Sequence, residues 1–409
     1  MEFWLPYGET DVAVAVPDEN LLGFLAPLED PSSHNPADIV SGALHHQIAK
    51  GTLLEVASHA RNTVIAYNEK SVASTSIANL LAEALKQNGV QSIHLVEGSL
   101  DPTQPRSDHA LAHNNSQLLT SLTKHNTKSS PAVKVGQLED GSEILLNETF
   151  ANADLKCVVA DVTINPFWGY SGGPSFLIAG LAAEKTVKAC LSPALKAEKL
   201  PGVLAGNPTY ETLLRASQSV QVDFAAHVVE RLDGSIAGVF AGDFLDTFQQ
   251  ACGLSTKVFR PLLRRKADIV ISSAGGIPWD RTLFDACSSA ILAASICKDQ
   301  GMIIVAAECP EGLGRFPSGG LPALDPKGRL AHARRTFSLA MLLEYSFRKV
   351  TGEHRTYLVS TLPERQASLY GLLDAKSVKS ALERAIRHAG KDATIALIPY
   401  GSHTAPLIE

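Results

Sequence analysis

The sequence has no uninterrupted apolar stretch of about 18 residues, the length that an α-helix needs to cross a bilayer. Residues 1–4 also lack the basic start and apolar core of a secretory signal, which predicts a cytoplasmic protein without a membrane partner. No long block of basic residues occurs, and the formal net charge is −6 at pH 7. These two absences argue against nucleic acid as the main partner.

Cysteines are few and widely spaced, and no two of the six form a C-x-x-C pair. Several lie in apolar runs, as Cys157 does in 155–159, so we expect buried, reduced thiols. What the chain does have is length and apolar content. Its 409 residues are 45% hydrophobic and 19% charged, which is typical of a globular protein with two domains.

Short runs rich in Val and Ile recur, and stretches of helical length follow most of them. The predicted strands are 63–67, 93–96, 157–162, 268–272, 302–306, 356–359 and 394–398, and the predicted helices include 77–86, 282–298 and 331–347. This alternation predicts an α/β fold of two domains, each with a mainly parallel sheet flanked by helices and with a ligand cleft between them. The segment 259–267 is the predicted boundary, which gives domains of 1–260 and 261–409.

Three glycine-containing loops follow predicted strands, at 165–174, 272–280 and 308–314. Ligands of parallel sheets bind outside the carboxyl ends of the strands, and the N–H groups of a helix start attract anions. We therefore predict that these loops share a ligand cleft, where backbone N–H groups could bind a small organic anion or a nucleotide. The predicted ligand-binding residues are Gly172, Gly173, Ser175, Gly275, Gly276 and Trp279, and the polar candidates for catalysis are Lys70, Asp280, Arg281, Glu308 and Glu311. Each loop alone also has a purely structural explanation, since glycines make turns.

The segment 169–173 matches G-x-S-x-G, the nucleophile elbow of α/β hydrolases, with Ser171 as the nucleophile. Asp243 or Asp280, followed by His332, His354 or His403, would complete the order of a catalytic triad. The residues 165–168 separate the serine from its strand, however, and a true elbow is tight. A serine hydrolase is therefore an alternative rather than the leading interpretation.

His109 and His113 are four residues apart, a spacing that places two imidazoles on one helix face and could bind a metal. No neighbouring carboxylate completes a familiar metal motif, and the segment from 100 onward is polar. A solvated surface pair explains these histidines better, so we predict no metal site.

In their order along the chain, these segments resemble the nickel-dependent lactate racemase family, whose members racemise or epimerise 2-hydroxy acids. The resemblance covers nearly the whole chain. It comprises residues 6–8, 17–20, 172–182, 202–208, 241–243, 275–280 and 308–314. It implies two α/β domains with the active site between them. It also implies a nickel-carrying pincer nucleotide, derived from nicotinic acid and tethered to a lysine, with histidines as metal ligand, acid and base.

This chain departs from that pattern at the positions that carry the chemistry. Ser175 stands where the tethering lysine is expected, and Leu191 stands where the metal-ligating histidine is expected. Leu100 and Phe167 take the places of the two acid–base histidines. The turn that holds the cofactor phosphate matches 67–71, with Lys70 in place of an arginine. The joint loss predicts that the pincer cofactor is absent.

The resemblance implies a divergent racemase-like protein that still binds a 2-hydroxy-acid-like anion, and any activity of its own would be that of an isomerase. A non-catalytic binding or regulatory paralogue is the alternative. We expect either a homo-oligomer or pairing with a related subunit.

Overall fold

A computed structural model describes residues 1–28, 35–48, 51–98, 121–198, 200–317 and 325–409. These residues form two compact units. The first unit joins residues 1–28 to 257–409, and the second unit contains 35–98 and 121–256.

A six-stranded sheet forms the centre of the second unit. Its strands lie in the order Ile236–Gly242, Phe224–Glu230, Leu155–Asp161, Thr63–Asn68, Ile93–Gly98 and Ser121–Lys124. All neighbours are parallel except the first pair. The strand Thr63–Asn68 is buried at every position, as its run of apolar residues requires in a sheet covered on both faces.

The helices of the second unit are Pro36–Leu44, Leu53–His59, Val72–Gln87, Glu148–Ala151, Glu184–Leu191 and Pro208–Ser217, with a short turn Gly173–Ser175 that continues as a π-helix over Phe176–Gly180. Short strand pairs are Gln47–Ile48 with Gly51–Thr52, Ala132–Gln137 with Glu143–Asn147, and Ile164–Asn165 with Gly169–Tyr170. The helix Val72–Gln87 begins at Ser71, whose hydroxyl accepts from Ser74 N–H. It buries Ile77, Leu81 and Leu85 at four-residue spacing.

The sheet of the first unit is parallel throughout. Its order is Leu373–Asp374, Arg355–Val359, Cys297–Ala306, Ala267–Ser273, Ile395–Ile398 and Leu21–Phe24. The helices of this unit are Leu283–Ile296, Pro326–Arg335, Leu339–Glu353, Glu364–Ser368 and Val378–Ala389. The hairpin Glu2–Tyr7 with Thr10–Ala15 and the pair Leu262–Leu263 with Leu407–Ile408 complete its strands. The helix Phe244–Phe259 spans the division between the units.

The α/β class with mainly parallel sheets is confirmed, but the division of the chain differs from the predicted 1–260 and 261–409. Residues 1–28 belong with the C-terminal residues because Leu21–Phe24 pairs in parallel with Ile395–Ile398. This pairing joins segments more than 370 residues apart, and no local pattern reports it.

The predicted single helix at 331–347 is wrong. Two helices, Pro326–Arg335 and Leu339–Glu353, meet there, and the second begins at Ser338, whose hydroxyl accepts from Met341 N–H at 3.1 Å.

All six cysteines are unpaired and buried, as their apolar surroundings predicted. Among the described residues, no helix is both long and apolar enough to cross a membrane.

Candidate functional site

The carboxyl ends of the central strands in the second unit carry a buried polar cluster. Asn68, at the end of Thr63–Asn68, donates from Nδ2 to Oδ1 of Asp161, which ends the neighbouring strand. On the other side of the same strand, Tyr67 donates its hydroxyl hydrogen to Oε1 of Glu97, on the neighbouring strand Ile93–Gly98, at 2.8 Å. Burial, followed by this bond to Glu97, raises the pKa of Tyr67 above its usual range. Tyr67 is therefore a neutral donor at working pH.

The glycine-rich turn lies beside this cluster and is buried. Its hairpin, Ile164–Asn165 with Gly169–Tyr170, folds Ser171 back toward Thr163. The Ser175 side chain is 1% exposed, and its hydroxyl donates to the Gly172 carbonyl at 2.9 Å. The Gly173 N–H donates to His227 Nε2 at 3.1 Å. The Gly173 N–H and the Ser175 hydroxyl therefore both bond to groups of the protein itself.

His227, on the strand Phe224–Glu230, holds the glycine-rich turn through a hydrogen bond to Gly173. Because Gly173 N–H donates to Nε2, that nitrogen is unprotonated, and the proton lies on Nδ1, which is 2.9 Å from Thr247 Oγ1. The Thr247 hydroxyl in turn donates a hydrogen bond to the Asp243 carbonyl at 2.6 Å. Burial lowers the pKa of His227 to about 3, so the imidazole is neutral at working pH.

Ser171 does not have the surroundings of a hydrolase nucleophile. The residue is 2% exposed. Its Oγ accepts from Thr163 N–H at 2.8 Å and lies 2.9 Å from Thr163 Oγ1 and 3.3 Å from the Asp161 carbonyl. These partners fix the hairpin, and none of them is a histidine that could take the serine proton. The serine-hydrolase interpretation is therefore not supported.

In the first unit, Asp280 joins two of the predicted loops to the N-terminal hairpin. Its side chain is fully buried, and Oδ2 accepts from Gly8 N–H at 2.7 Å and from Glu308 N–H at 3.1 Å. Asp280 Oδ1 has no hydrogen-bond partner among the described residues. A buried acceptor without a partner is costly, so this oxygen is an open position for a donor.

Glu308 and Tyr7 lie against Asp280. A Cβ atom on Gly8 would overlap the Glu308 carboxylate, so the hairpin turn and the loop after Cys297–Ala306 are in direct contact. Burial raises the pKa of Tyr7 to about 12, with a smaller contribution from the negative charge of Glu308. The phenol stays protonated and can donate a hydrogen bond beside two carboxylates.

Trp279 packs edge-on against His403, with ring centroids 4.0 Å apart. Burial lowers the pKa of His403 to about 4, and its Nε2 has no hydrogen-bond partner among the described residues. Nearby, Gly275 N–H donates to Ser273 Oγ at 3.0 Å, and the Gly276 carbonyl accepts from Trp279 N–H at 2.7 Å. A neutral imidazole, that of His403, therefore lies against the loop 272–280, and its Nε2 has no hydrogen-bond partner among the described residues.

The remaining candidates fall in different places. Glu311 is exposed and donates its N–H to the Arg281 carbonyl at 2.9 Å, next to Asp280. Lys70 lies in the second unit, where its N–H donates to Asn68 Oδ1 at 3.3 Å. Asp280, Arg281, Glu308, Glu311, Gly275, Gly276 and Trp279 belong to the first unit, and Lys70, Gly172, Gly173 and Ser175 belong to the second. His109 and His113 lie outside the described residues.

Sequence reasoning missed two residues, one that the structure places at a strand end and one that contacts the glycine-rich turn. His227 and Glu230 lie on Phe224–Glu230, a strand whose pattern is interrupted by the polar histidine. His403, which follows the predicted strand at 394–398, was considered only as a possible triad histidine for Ser171.

Two family models match this chain. The lactate racemase N-terminal domain matches residues 7–197, and the lactate racemase C-terminal domain matches residues 263–316. The chain belongs to the lactate racemase family. The lactate racemase of Lactiplantibacillus plantarum is 26% identical over 419 residues, which cover 97% of each chain. The lactate racemase of Thermoanaerobacterium thermosaccharolyticum is 27% identical over 327 residues, which cover 76% of this chain and 75% of the relative.

Solved structures show the same fold. The lactate racemase apoprotein from Thermoanaerobacterium thermosaccharolyticum superposes with a TM-score of 0.83 at 22% identity and covers 100% of both chains. A protein from Thermotoga maritima superposes with a TM-score of 0.66 at 15% identity, covering 93% of this chain and 100% of its own. The predicted resemblance to the lactate racemase family is confirmed.

The resemblance to the lactate racemase family implies a cofactor that needs a lysine for its covalent link and histidines for its metal and protons. Ser175 stands where that lysine is expected, and its buried hydroxyl donates to the Gly172 carbonyl of the same turn. At the metal position Leu191 is fully buried at the end of Glu184–Leu191, and Phe167 is buried within the turn. Within the described parts of the chain, no cluster of three His, Cys, Asp or Glu side chains could hold a metal ion. These residues do not fit the tethered nickel nucleotide.

Proposed function

We propose that this protein is a lactate racemase family member that works without the pincer nucleotide and binds a small organic anion of the 2-hydroxy-acid type. The observation that carries the proposal is Ser175. A serine hydroxyl cannot form the lysine amide, and this one is already bonded to Gly172 inside a buried turn. The full-length relatives are named lactate racemases, which supports retention of their ligand class.

Any reaction of this chain belongs, on this proposal, to the isomerase class of its relatives. Its own residues supply binding and proton-holding groups at the strand ends. Arg281 and Lys70 are the candidate cations for a carboxylate, and Asp280 Oδ1 is a buried acceptor suited to a hydroxyl. Tyr7, protonated because burial raises its pKa to about 12, is a donor beside Asp280 and Glu308.

We also propose a cellular location and a protein partner for this chain. Six buried, unpaired thiols suit the reducing conditions of the cytoplasm, which supports a cytoplasmic protein. Self-association, or pairing with a related racemase subunit, is the proposed protein partnership, and light scattering of the purified protein with and without that subunit tests it.

Ligand-induced stabilisation tests the proposal directly. D-lactate, L-lactate and longer 2-hydroxy acids are each titrated while the melting temperature is followed, with 1,2-propanediol as the matched ligand that lacks the carboxylate. We expect stabilisation by the acids and none by the diol, since a ligand that binds only the folded state stabilises it by mass action.

Chiral analysis of the same samples separates the two interpretations of activity. Interconversion of enantiomers supports an isomerase, and stabilisation without interconversion supports a binding or regulatory paralogue. Absence of stabilisation by every 2-hydroxy acid would refute the proposed ligand class.

A further inference from the structure

Glu230 reaches from its own strand to the start of a distant helix. It is the last residue of Phe224–Glu230, which is separated from Thr63–Asn68 by one strand of the sheet. Its Oε2 accepts from Ser71 Oγ at 2.8 Å and from Ala73 N–H at 3.2 Å. Both donors belong to the first turn of the helix Val72–Gln87, so a carboxylate of the protein itself occupies this helix start.

A helix start of this kind is where an external phosphate would bind. The first-turn N–H groups point outward, and the helix dipole favours negative charge there. In this chain the Ala73 N–H and the Ser71 hydroxyl are already bonded to Glu230, and the Ser74 N–H is bonded to Ser71 Oγ at 3.0 Å. A phosphate could reach the same donors only by displacing the carboxylate.

The charges around Glu230 strengthen this exclusion. Asp161 and Asp233 both act on Glu230 through their negative charge, and Asp161 lies at the end of the adjacent strand. Burial is the main cause that raises the pKa of Glu230 to about 7, while the bonds from Ser71 and Ala73 oppose the rise. Above this pH, an incoming dianion would meet an ionised Glu230 and the added negative charge of Asp161 and Asp233.

We propose that Glu230 is a specificity-determining residue that serves as the resident anion of this helix start and excludes ligands that carry a phosphate group. The inference deepens the proposed function, on which it rests for the site concerned. It limits the ligand of the second unit to molecules without phosphate, as a free 2-hydroxy acid is. It also means that restoring a lysine at Ser175 would not restore the phosphate end of a nucleotide site.

The test measures binding of inorganic phosphate by titration calorimetry at about pH 8, where Glu230 is mostly ionised. The wild-type protein is expected to bind phosphate only weakly, so that saturation lies above the low millimolar range. Glu230→Ala frees the Ser71 and Ala73 donors and is expected to bind phosphate roughly tenfold more tightly than the wild type. Asp233→Asn is the matched control, because it removes a nearby negative charge without freeing a donor of the helix, so any gain in phosphate affinity should be far smaller than that of Glu230→Ala.

A second measurement needs no variant. Sulfate keeps its charge between about pH 5.5 and 8, whereas Glu230 gains its proton across this range. The sulfate affinity of the wild-type protein should therefore rise as the pH falls from about 8 to about 5.5. This rise should exceed the difference in sulfate affinity between the wild type and Asp233→Asn at either pH.

The inference is overturned if the wild type binds phosphate as tightly as Glu230→Ala, if Asp233→Asn gains as much as Glu230→Ala, or if sulfate affinity stays unchanged with pH. These outcomes concern Glu230 alone. The proposed function fails on different readouts, namely a covalent cofactor adduct or the absence of 2-hydroxy-acid binding.

Discussion

His227 Nε2 accepts the Gly173 N–H at 3.1 Å, so a single buried imidazole holds the glycine-rich turn against the strand Phe224–Glu230. The phenyl rings of Phe244 and Phe248 pack on the same imidazole, with centroid distances of 5.7 and 5.6 Å. The turn is therefore positioned by a neutral hydrogen-bond acceptor inside an apolar layer. The stability of the fold should therefore depend on this imidazole.

His227→Leu should lower the free energy of unfolding by about 2–4 kcal/mol, because it leaves the buried Gly173 N–H without an acceptor. Chemical denaturation measures the change. His59→Ala is the control, since His59 is exposed and its Nδ1 bonds to Ser58 and Glu55 of its own helix. Equal stability of the two variants would contradict the role assigned to His227.

The same imidazole predicts loss of stability in acid. Burial lowers the pKa of His227 from 6.5 to about 3, so the folded state binds fewer protons than the unfolded state between these values. The stability that depends on the neutral imidazole is complete above pH 6.5 and is lost as the pH falls toward 3. At 1.4 kcal/mol for each pKa unit, this loss can amount to about 5 kcal/mol. His227→Leu should flatten the unfolding free energy against pH over this window. An unchanged slope would show that other groups cause the acid sensitivity.

Gly173→Ala should be much more damaging than an alanine at another left-handed glycine. Gly173 has φ +46°, and a Cβ atom there would lie 2.5 Å from the Phe248 ring. Gly206 has φ +74°, but a Cβ atom there has no neighbour within 4 Å. We expect a loss of roughly 1 kcal/mol for Gly206→Ala from backbone strain, and about 3 kcal/mol or more for Gly173→Ala from strain plus overlap. Similar losses of stability at both positions would mean that the Phe248 ring can move aside at little cost in free energy.

Asp280→Ala should destabilise the first unit by about 2–4 kcal/mol. The change leaves the buried N–H groups of Gly8 and Glu308 without their shared acceptor. Asp299→Ala, at an exposed carboxylate, is the control and should stay within about 0.5 kcal/mol of the wild type. Hydrogen exchange of the Gly8 and Glu308 amides gives the local readout, and unchanged protection would contradict the contact.

The sequence predicted the elements that local patterns determine. Runs such as 63–67 and 302–306 are apolar at successive positions because both faces of a parallel strand are buried, and they appear as Thr63–Asn68 and Cys297–Ala306. The sequence also grouped the loops 272–280 and 308–314, and in the structure Glu308 N–H donates to Asp280 Oδ2. The pairing of Leu21–Phe24 with Ile395–Ile398 could not be predicted, because it depends on contacts between remote segments.

The second unit shows the same limit at its polar residues. Ser175 was identified because its motif fixes its position relative to the glycine pair. His227 and Glu230 were missed because their meaning depends on what lies opposite them, namely Gly173 N–H and the start of Val72–Gln87. Spacing along one chain does not report such partners across a sheet.

The central claim is that this lactate racemase family member carries no tethered pincer nucleotide. Intact mass and nickel content are measured after production together with the enzymes that build the cofactor, with the lactate racemase of Lactiplantibacillus plantarum as the positive control. We expect the unmodified mass of the polypeptide and no stoichiometric nickel, while the control acquires both the adduct and the metal. A covalent adduct with stoichiometric nickel on this chain would contradict the account.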